Sequence, residues 1–253
     1  MSLLFKKEIL PILFLLFSPL MLNAGDTHEN NLPTKIRYQI ADAHMHYVDF
    51  LQNSEGTKIL LEMMKRSGVD HAMINGLAVT KKWDAVDPVQ PRYYLSDDSR
   101  TYWYSVTDIL VAEAVSRLGE TDQQKFHPFI SGFNPTDRNA IYHIKRMMTM
   151  YPDLWEGIGE ILTRHDDLTA LTYGEQARAN HVALDPVYTF AAEHDMPVTI
   201  HSDISSVWVK DPIYLHEMEA AVKKHPKTRF IWAHAGMSRR MNIPAIYCHS
   251  VPC

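Results

Sequence analysis

The sequence predicts an α/β protein whose parallel sheet curls toward a TIM-type (β/α)8 barrel, with about six of eight strand–helix units present. Three observations carry that expectation. Short apolar runs alternate with helix-period segments from Ile36 onward. The runs are nearly continuous in apolar residues, as strands covered by helices on both faces are. Histidines and a carboxylate close several of the runs, and barrel enzymes set catalytic groups at the C-terminal ends of their strands. An open doubly wound sheet is the other architecture of this class, but no G-x-G-x-x-G or G-x-x-x-x-G-K-[ST] follows any strand.

The elements follow in order. Ile36–His46 is the first strand. Glu55–Arg66 is amphipathic, with Ile59, Leu60, Met63 and Met64 on one face and Gly68 beyond it as a stop. The further strands are His71–Val79, Phe126–Phe133, Gly157–Leu162, Pro197–His201 and Arg229–Ala233. Helices lie between them near Val106–Arg117, Asp137–Met150, Asp185–His194 and Tyr214–His225, and Pro152, Pro197 and Pro226 fall at or just past helix ends. Thr80–Tyr104 fits no repeat, being long, rich in Asp, Tyr and Trp, and without periodicity. It reads either as a loop over the barrel mouth that shapes substrate choice, or as a surface excursion with its own aromatic cluster. That group is Tyr93, Tyr94, Tyr102, Trp103 and Tyr104.

The 253 residues carry a formal charge of −5 and no Lys/Arg-rich run, so nucleic acid is not an expected partner. Fourteen histidines outnumber ten glycines, which points weakly to metal or proton chemistry. Residues 1–24 belong to another class of sequence. Lys6 and Lys7 precede an apolar run from Ile9 to Leu22, and Leu22-Asn23-Ala24 offers a small-residue cleavage site. That is the pattern of a secretory signal peptide. The run is short for a membrane span, which needs roughly 20 residues, and no Cys follows it for a lipid anchor. The expected mature chain is a single domain, residues 25–253, periplasmic or secreted, acting on a small molecule and free of the membrane after cleavage. Homo-oligomer formation stays open. Cys248 and Cys253 are no disulfide framework for a core, only a local pair near the end.

The chemistry sits at strand ends. Asp42-Ala43-His44-Met45-His46 closes the first strand, and residues two apart on a strand share a face, so both imidazoles project into one mouth. Two neutral ring nitrogens can then reach one divalent cation. At this histidine content an H-x-H is expected roughly 0.8 times by chance. Its place at the strand end is what gives it weight. Gly157-Ile158-Gly159-Glu160 puts a carboxylate at the fourth strand, Ile200-His201 an imidazole at the fifth, and Trp232-Ala233-His234-Ala235-Gly236 another at the sixth. Any one of these reads as an ordinary hydrogen-bonded strand-end residue. Four ends converging on one rim read as a site. Arg164 and His165 follow the fourth strand and either meet a substrate carboxylate or form an exposed loop pair. Asp42 and Asp203 either orient ligand histidines or are structural acids.

The D-A-H-x-H, G-x-G-E, I-H-S and W-A-H-A-G segments resemble the amidohydrolase superfamily, and more narrowly its amidohydrolase-related (amidohydrolase 2) branch, which also holds decarboxylases and hydratases. The resemblance runs from about Ile40 to Gly236. It implies metal ligands at His44, His46, Glu160, His201 and His234, with Glu160 and His234 also catalytic, and Arg164 and His165 beside the substrate. It implies a divalent metal, zinc by preference, as one ion or two. In a two-ion version His44 and His46 hold one, His201 and His234 the other, and Glu160 lies between. The implied reaction is metal-assisted hydrolysis of an amide, ester or lactone, with decarboxylation or hydration of a small carboxylic acid as the alternative on the same scaffold.

One part of the family pattern has no counterpart. The resemblance calls for an eighth-strand aspartate, yet no Asp or Glu follows Glu219, and the residues after Gly236 are too few for two more strand–helix units. The expectation is a truncated barrel whose last stretch, residues 245–253, differs in character from the rest. An unusually short enzyme, one completed by another chain, and an inactive fragment that still binds metal are the other readings.

Overall fold

The structure, a computed structural model, describes residues 38–92, 98–206, 208–209 and 211–237. The expected leader, the tail at 245–253 with both cysteines, and Tyr93 and Tyr94 lie outside the described residues. By its contacts the chain divides after Tyr38, and the fold described below belongs to the unit from Gln39 onward.

The elements run β1 (Ile40–Val48), α1 (Thr57–Ser67), β2 (Val69–Gly76), β3 (Val79–Lys81), β4 (Thr101–Trp103), α2 (Val106–Ser116), α3 (Glu120–Gln123), β5 (Phe126–Ile130), α4 (Ala140–Met150), β6 (Gly157–Leu162), α5 (Asp185–Glu193), β7 (Val198–His201), α6 (Leu215–Lys224) and β8 (Phe230–Trp232). Six strands form one sheet in the order β1-β2-β5-β6-β7-β8, and every pairing in it is parallel. The sheet is not flat. The His44 ring on β1 lies 4.8 Å from the His234 ring just past β8, so side chains from the two edge strands meet over the C-terminal ends of the sheet. This is an open half-barrel of the TIM type.

The strands are parallel because helices return the chain between them, and those helices bury the outer face. On α4, Ala140, Ile141, Ile144 and Met147 are buried, the spacing of a single helical stripe. They join Ile158, Val198, Ile200, Val187 and Ala191 in the main core between sheet and helices. Helix α1 ends as expected at Gly68, whose left-handed backbone (φ 73°) lets its N–H reach the Met64 carbonyl. Its buried face is narrower than expected. Met64 is buried and Leu60 and Leu61 pack against the core, whereas Ile59 and Met63 are exposed. Those two lie one position off the line that faces the sheet.

The second strand ends at Gly76, three residues earlier than its apolar run suggests. Helix α2 crosses closely there, and a Cβ on Gly76 would stand 1.8 Å from Thr107 Oγ1. Val79 instead opens β3, which pairs antiparallel with β4, so the two ends of the aperiodic excursion form a two-stranded ribbon. Thr101 Oγ1 donates to the Leu168 carbonyl at 2.8 Å, tying the ribbon to the loop after β6. Phe50, Leu77, Val79, Leu162 and Leu168, with Trp103 against them, form a second apolar cluster on this side. Tyr102 and Tyr104 pack edge to face at 6.2 Å. Both readings of the excursion therefore hold in part: it lies on the face where the strands end, and it has its own cluster.

Asp108 of α2 fixes the rim from behind. Its fully buried carboxylate accepts from the Ser131 and Gly132 backbone N–H groups, both at 2.9 Å, and lies 2.6 Å from His143 Nε2 on α4. Three elements thus share one anion. Replacing it (Asp108→Ala) leaves buried donors unpaired, and the expected loss is about 3–5 kcal/mol. Urea unfolding of the variant checks this. A loss under about 1 kcal/mol would put the pair in the class of exposed ion pairs.

Candidate metal centre

Each ligand-type side chain is placed by a local backbone device. His44 and His46 share a face of β1, and the His44 N–H donates to Asp42 Oδ1 at 3.0 Å. Glu160 follows Gly159, whose φ of 118° suits only glycine and where a Cβ would stand 2.1 Å from the Thr199 carbonyl oxygen. That missing Cβ lets β6 lie tight against β7. His201 ends β7, and its carbonyl accepts from the Thr163 N–H at 2.9 Å and hydroxyl at 2.6 Å. Trp232 Nε1 donates to the Ser202 carbonyl at 2.9 Å, fastening β8 to the end of β7. His234 and Ala235 then adopt left-handed backbone (φ 55° and 51°), at a cost of about 1–2 kcal/mol each.

The five side chains meet. Glu160 Oε2 lies 3.1 Å from His44 Nε2 and 2.7 Å from His46 Nε2. Its other oxygen, Oε1, lies 3.2 Å from His201 Nδ1 and 3.9 Å from His234 Nε2. Two trios of ligand atoms result, each within 4.8 Å, His44–His46–Glu160 and Glu160–His201–His234. His44 Nε2 and His46 Nε2 are themselves 3.1 Å apart. A proton can serve only one such contact at a time, whereas a divalent cation accepts all three lone pairs. The donor set of imidazole and carboxylate therefore fits a metal ion. Among the described residues Glu160 is the one carboxylate in either trio.

The softer candidates divide. The Arg164 guanidinium is engaged by the Glu217 carboxylate, through its Nε at 2.8 Å and a second bond, and it lies 4.1 Å over the Tyr214 ring. His165 is buried and stacks on His201 at 4.6 Å. Asp42 holds the His44 backbone rather than its ring, and Asp203 lies against the His201 ring. Asn75 is a rim residue that the sequence pattern hid. It pairs in register with His46, is 1% exposed, and its Oδ1 has no hydrogen-bond partner among the described residues. A strand drawn through to Val79 makes it look mid-strand, but the true end at Gly76 makes it a strand-end polar residue like the others. Buried side-chain atoms without hydrogen-bond partners among the described residues all lie on this side. They belong to Gln52, Asn75, Thr80, Trp103 and Thr107 around β1 and β2, and to His201, Ser202 and Asp203 at β7.

Electrostatics bind the cluster together. Burial pushes the Glu160 carboxyl up, but contacts with His201, His44 and His46 outweigh it and hold the group well below the usual range. Burial pushes His201 down, while Asp203 and Glu160 together raise it to about 9. His234 is lowered by burial and by the neighbouring imidazoles, against the pull of Glu160, so it is neutral near pH 7. Because the folded chain holds the His201 proton more tightly than the unfolded chain does, its contribution is complete below about pH 6.5 and is lost as pH rises through about 9. The chelator-treated chain should lose up to roughly 3 kcal/mol over that window. Melting curves across it check this, and a slope that survives His201→Asn would contradict the assignment.

Residues 161–246 match the family model described as Amidohydrolase. No curated protein matches the chain. Among solved structures, a candidate amidohydrolase from Staphylococcus aureus superposes with a TM-score of 0.50 at 11% identity, covering 79% of this chain and 68% of that one. A 2,6-dihydroxybenzoate decarboxylase from Rhizobium gives 0.48 at 14% identity, over 78% and 67%. A 4-oxalomesaconate hydratase from Rhodopseudomonas palustris gives 0.42 at 15% identity, over 71% and 48%. The chain thus spans between about half and two thirds of the length of these structures. The family match from the end of β6 through β8 and the half-barrel fold, which carries four histidines and a glutamate at its strand ends, agree in their likeness to the amidohydrolase superfamily.

Proposed function

We propose that this chain is a metal-dependent hydrolase acting on the amide, ester or lactone carbonyl of a small molecule. The observation that supports it best is the division of Glu160, with one oxygen turned to His44 and His46 and the other to His201 and His234. The two trios would hold two cations, or either of them one, and zinc is the cation such donors suit. When bound, a divalent ion supplies Lewis-acid polarisation of a carbonyl and acidifies water. The chain's own residues supply the rest. Glu160 keeps its charge because the imidazoles around it hold the carboxyl low. His234 is the most exposed of the five, 48% against 1–26% for the others, and it is neutral near pH 7. With a single cation in the His44–His46–Glu160 trio, the His234 Nε2 lone pair would be free to take a proton and return it to a leaving group. His165 supports the His201 ring by stacking, while Glu217 already neutralises Arg164. The basic-apolar leader at 1–24 supports work in the periplasm or outside the cell.

Hydrolysis of a panel of lactones, esters and amides should vanish on chelation and return with added zinc. His234→Asn should lower turnover by about 100-fold or more while metal content holds. Carbon dioxide release or water addition without hydrolysis would assign the same centre to decarboxylation or hydration. A folded chain that takes up no metal would overturn the reading.

A further inference from the structure

Two buried polar atoms face each other behind His201. Its Nε2 and Asp203 Oδ1 are 3.2 Å apart, not fully aligned, and neither has any other hydrogen-bond partner among the described residues. Asp203 is 3% exposed and begins the loop that leaves β7, its N–H fixed on the Arg164 carbonyl at 3.1 Å. The other ring nitrogen of His201, Nδ1, looks toward Glu160. The imidazole is therefore lined up between a ligand-side carboxylate and a rear carboxylate, and the stacked His165 ring restrains it from tilting.

A buried structural carboxylate in this protein looks different. Asp108 takes two backbone N–H groups and an imidazole on its two oxygens. Asp42 takes the backbone N–H of His44. Asp203 Oδ1 takes no backbone donor and is turned toward one ring nitrogen. A carboxylate oxygen so placed fastens no backbone, and leaving it buried is costly unless it acts on that ring.

We infer that Asp203 is a positioning residue of the metal centre: its carboxylate keeps the His201 proton on Nε2, so that the Nδ1 lone pair faces the cation site shared with Glu160. The inference rests on the metal-centre reading above. A rear carboxylate of this kind fixes ring orientation and tautomer and raises ligand basicity.

The test compares the unmodified chain with Asp203→Ala and Asp203→Asn by zinc titration against a competing chelator, together with melting of each metal-free protein. Asp203→Ala should bind zinc about 10–100-fold more weakly. Asp203→Asn, which keeps the volume and an acceptor oxygen without the charge, should fall between. Both variants should melt, without metal and above about pH 9, where His201 has lost its proton, at or above the temperature of the unmodified chain. Zinc affinity within about threefold of the unmodified chain in both variants would overturn the inference and leave the metal centre standing. So would a lower melting temperature with unchanged affinity, the signature of a structural acid. Failure of the unmodified chain to bind zinc would overturn both.

Discussion

The rim is organised around one buried negative charge. Glu160 is 2% exposed, and an isolated carboxylate there would be expelled or protonated. It stays ionised because four imidazoles stand around it, three of them in direct polar contact. The dependence is mutual. Those imidazoles come from β1, β7 and the turn after β8, so the carboxylate on β6 joins side chains from both edges of an open sheet. Removing the charge would leave the histidines facing one another with nothing between them. The backbone devices follow from this demand. Gly159 brings β6 close, Thr163 grips the His201 carbonyl, Asp42 grips the His44 amide, and Trp232 grips the end of β7.

Much of this was legible before any coordinates. The five ligand-type residues are strand-end polar groups in apolar runs, and the period-two spacing of His44 and His46 already fixes a shared face. The helices α2, α4, α5 and α6 lie within a few residues of where periodicity puts them. What sequence could not show is closure in three dimensions. Asn75 was hidden because its strand stops at Gly76 for a reason carried by Thr107, thirty-odd positions downstream. The Asp108 clamp joins residues of α2, the loop after β5 and α4, and no local pattern links them. The opposed roles of Asp42 and Asp203 depend on which atom each carboxylate reaches, a matter of a few ångströms that spacing leaves open. Arg164 looked available for a substrate because Glu217 lies fifty-three residues away in sequence.

Two apolar clusters divide the labour of the fold. The main core lies between sheet and helices, and the smaller one lies past the strand ends with the β3–β4 ribbon. Polar groups without partners gather on the same side as the smaller cluster. Packing is thus concentrated between sheet and helices and chemistry at the C-terminal ends of the strands, as expected when a barrel end is kept for a site. The edge strands β1 and β8 each have a single neighbour among the described residues, and Ile40 and Ile231 on them are among the exposed apolar side chains.

The ribbon has an evolutionary corollary. It shares no buried residue with the main core, and it is fastened across the strand ends by its own cluster and by Thr101 on the Leu168 carbonyl. Substitutions, insertions or deletions between Lys82 and Arg100 can therefore accumulate without loosening the barrel. In a lineage of such proteins this segment is the part free to diverge, so descendants could acquire new selectivity while inheriting an unaltered scaffold and an unaltered set of strand-end histidines.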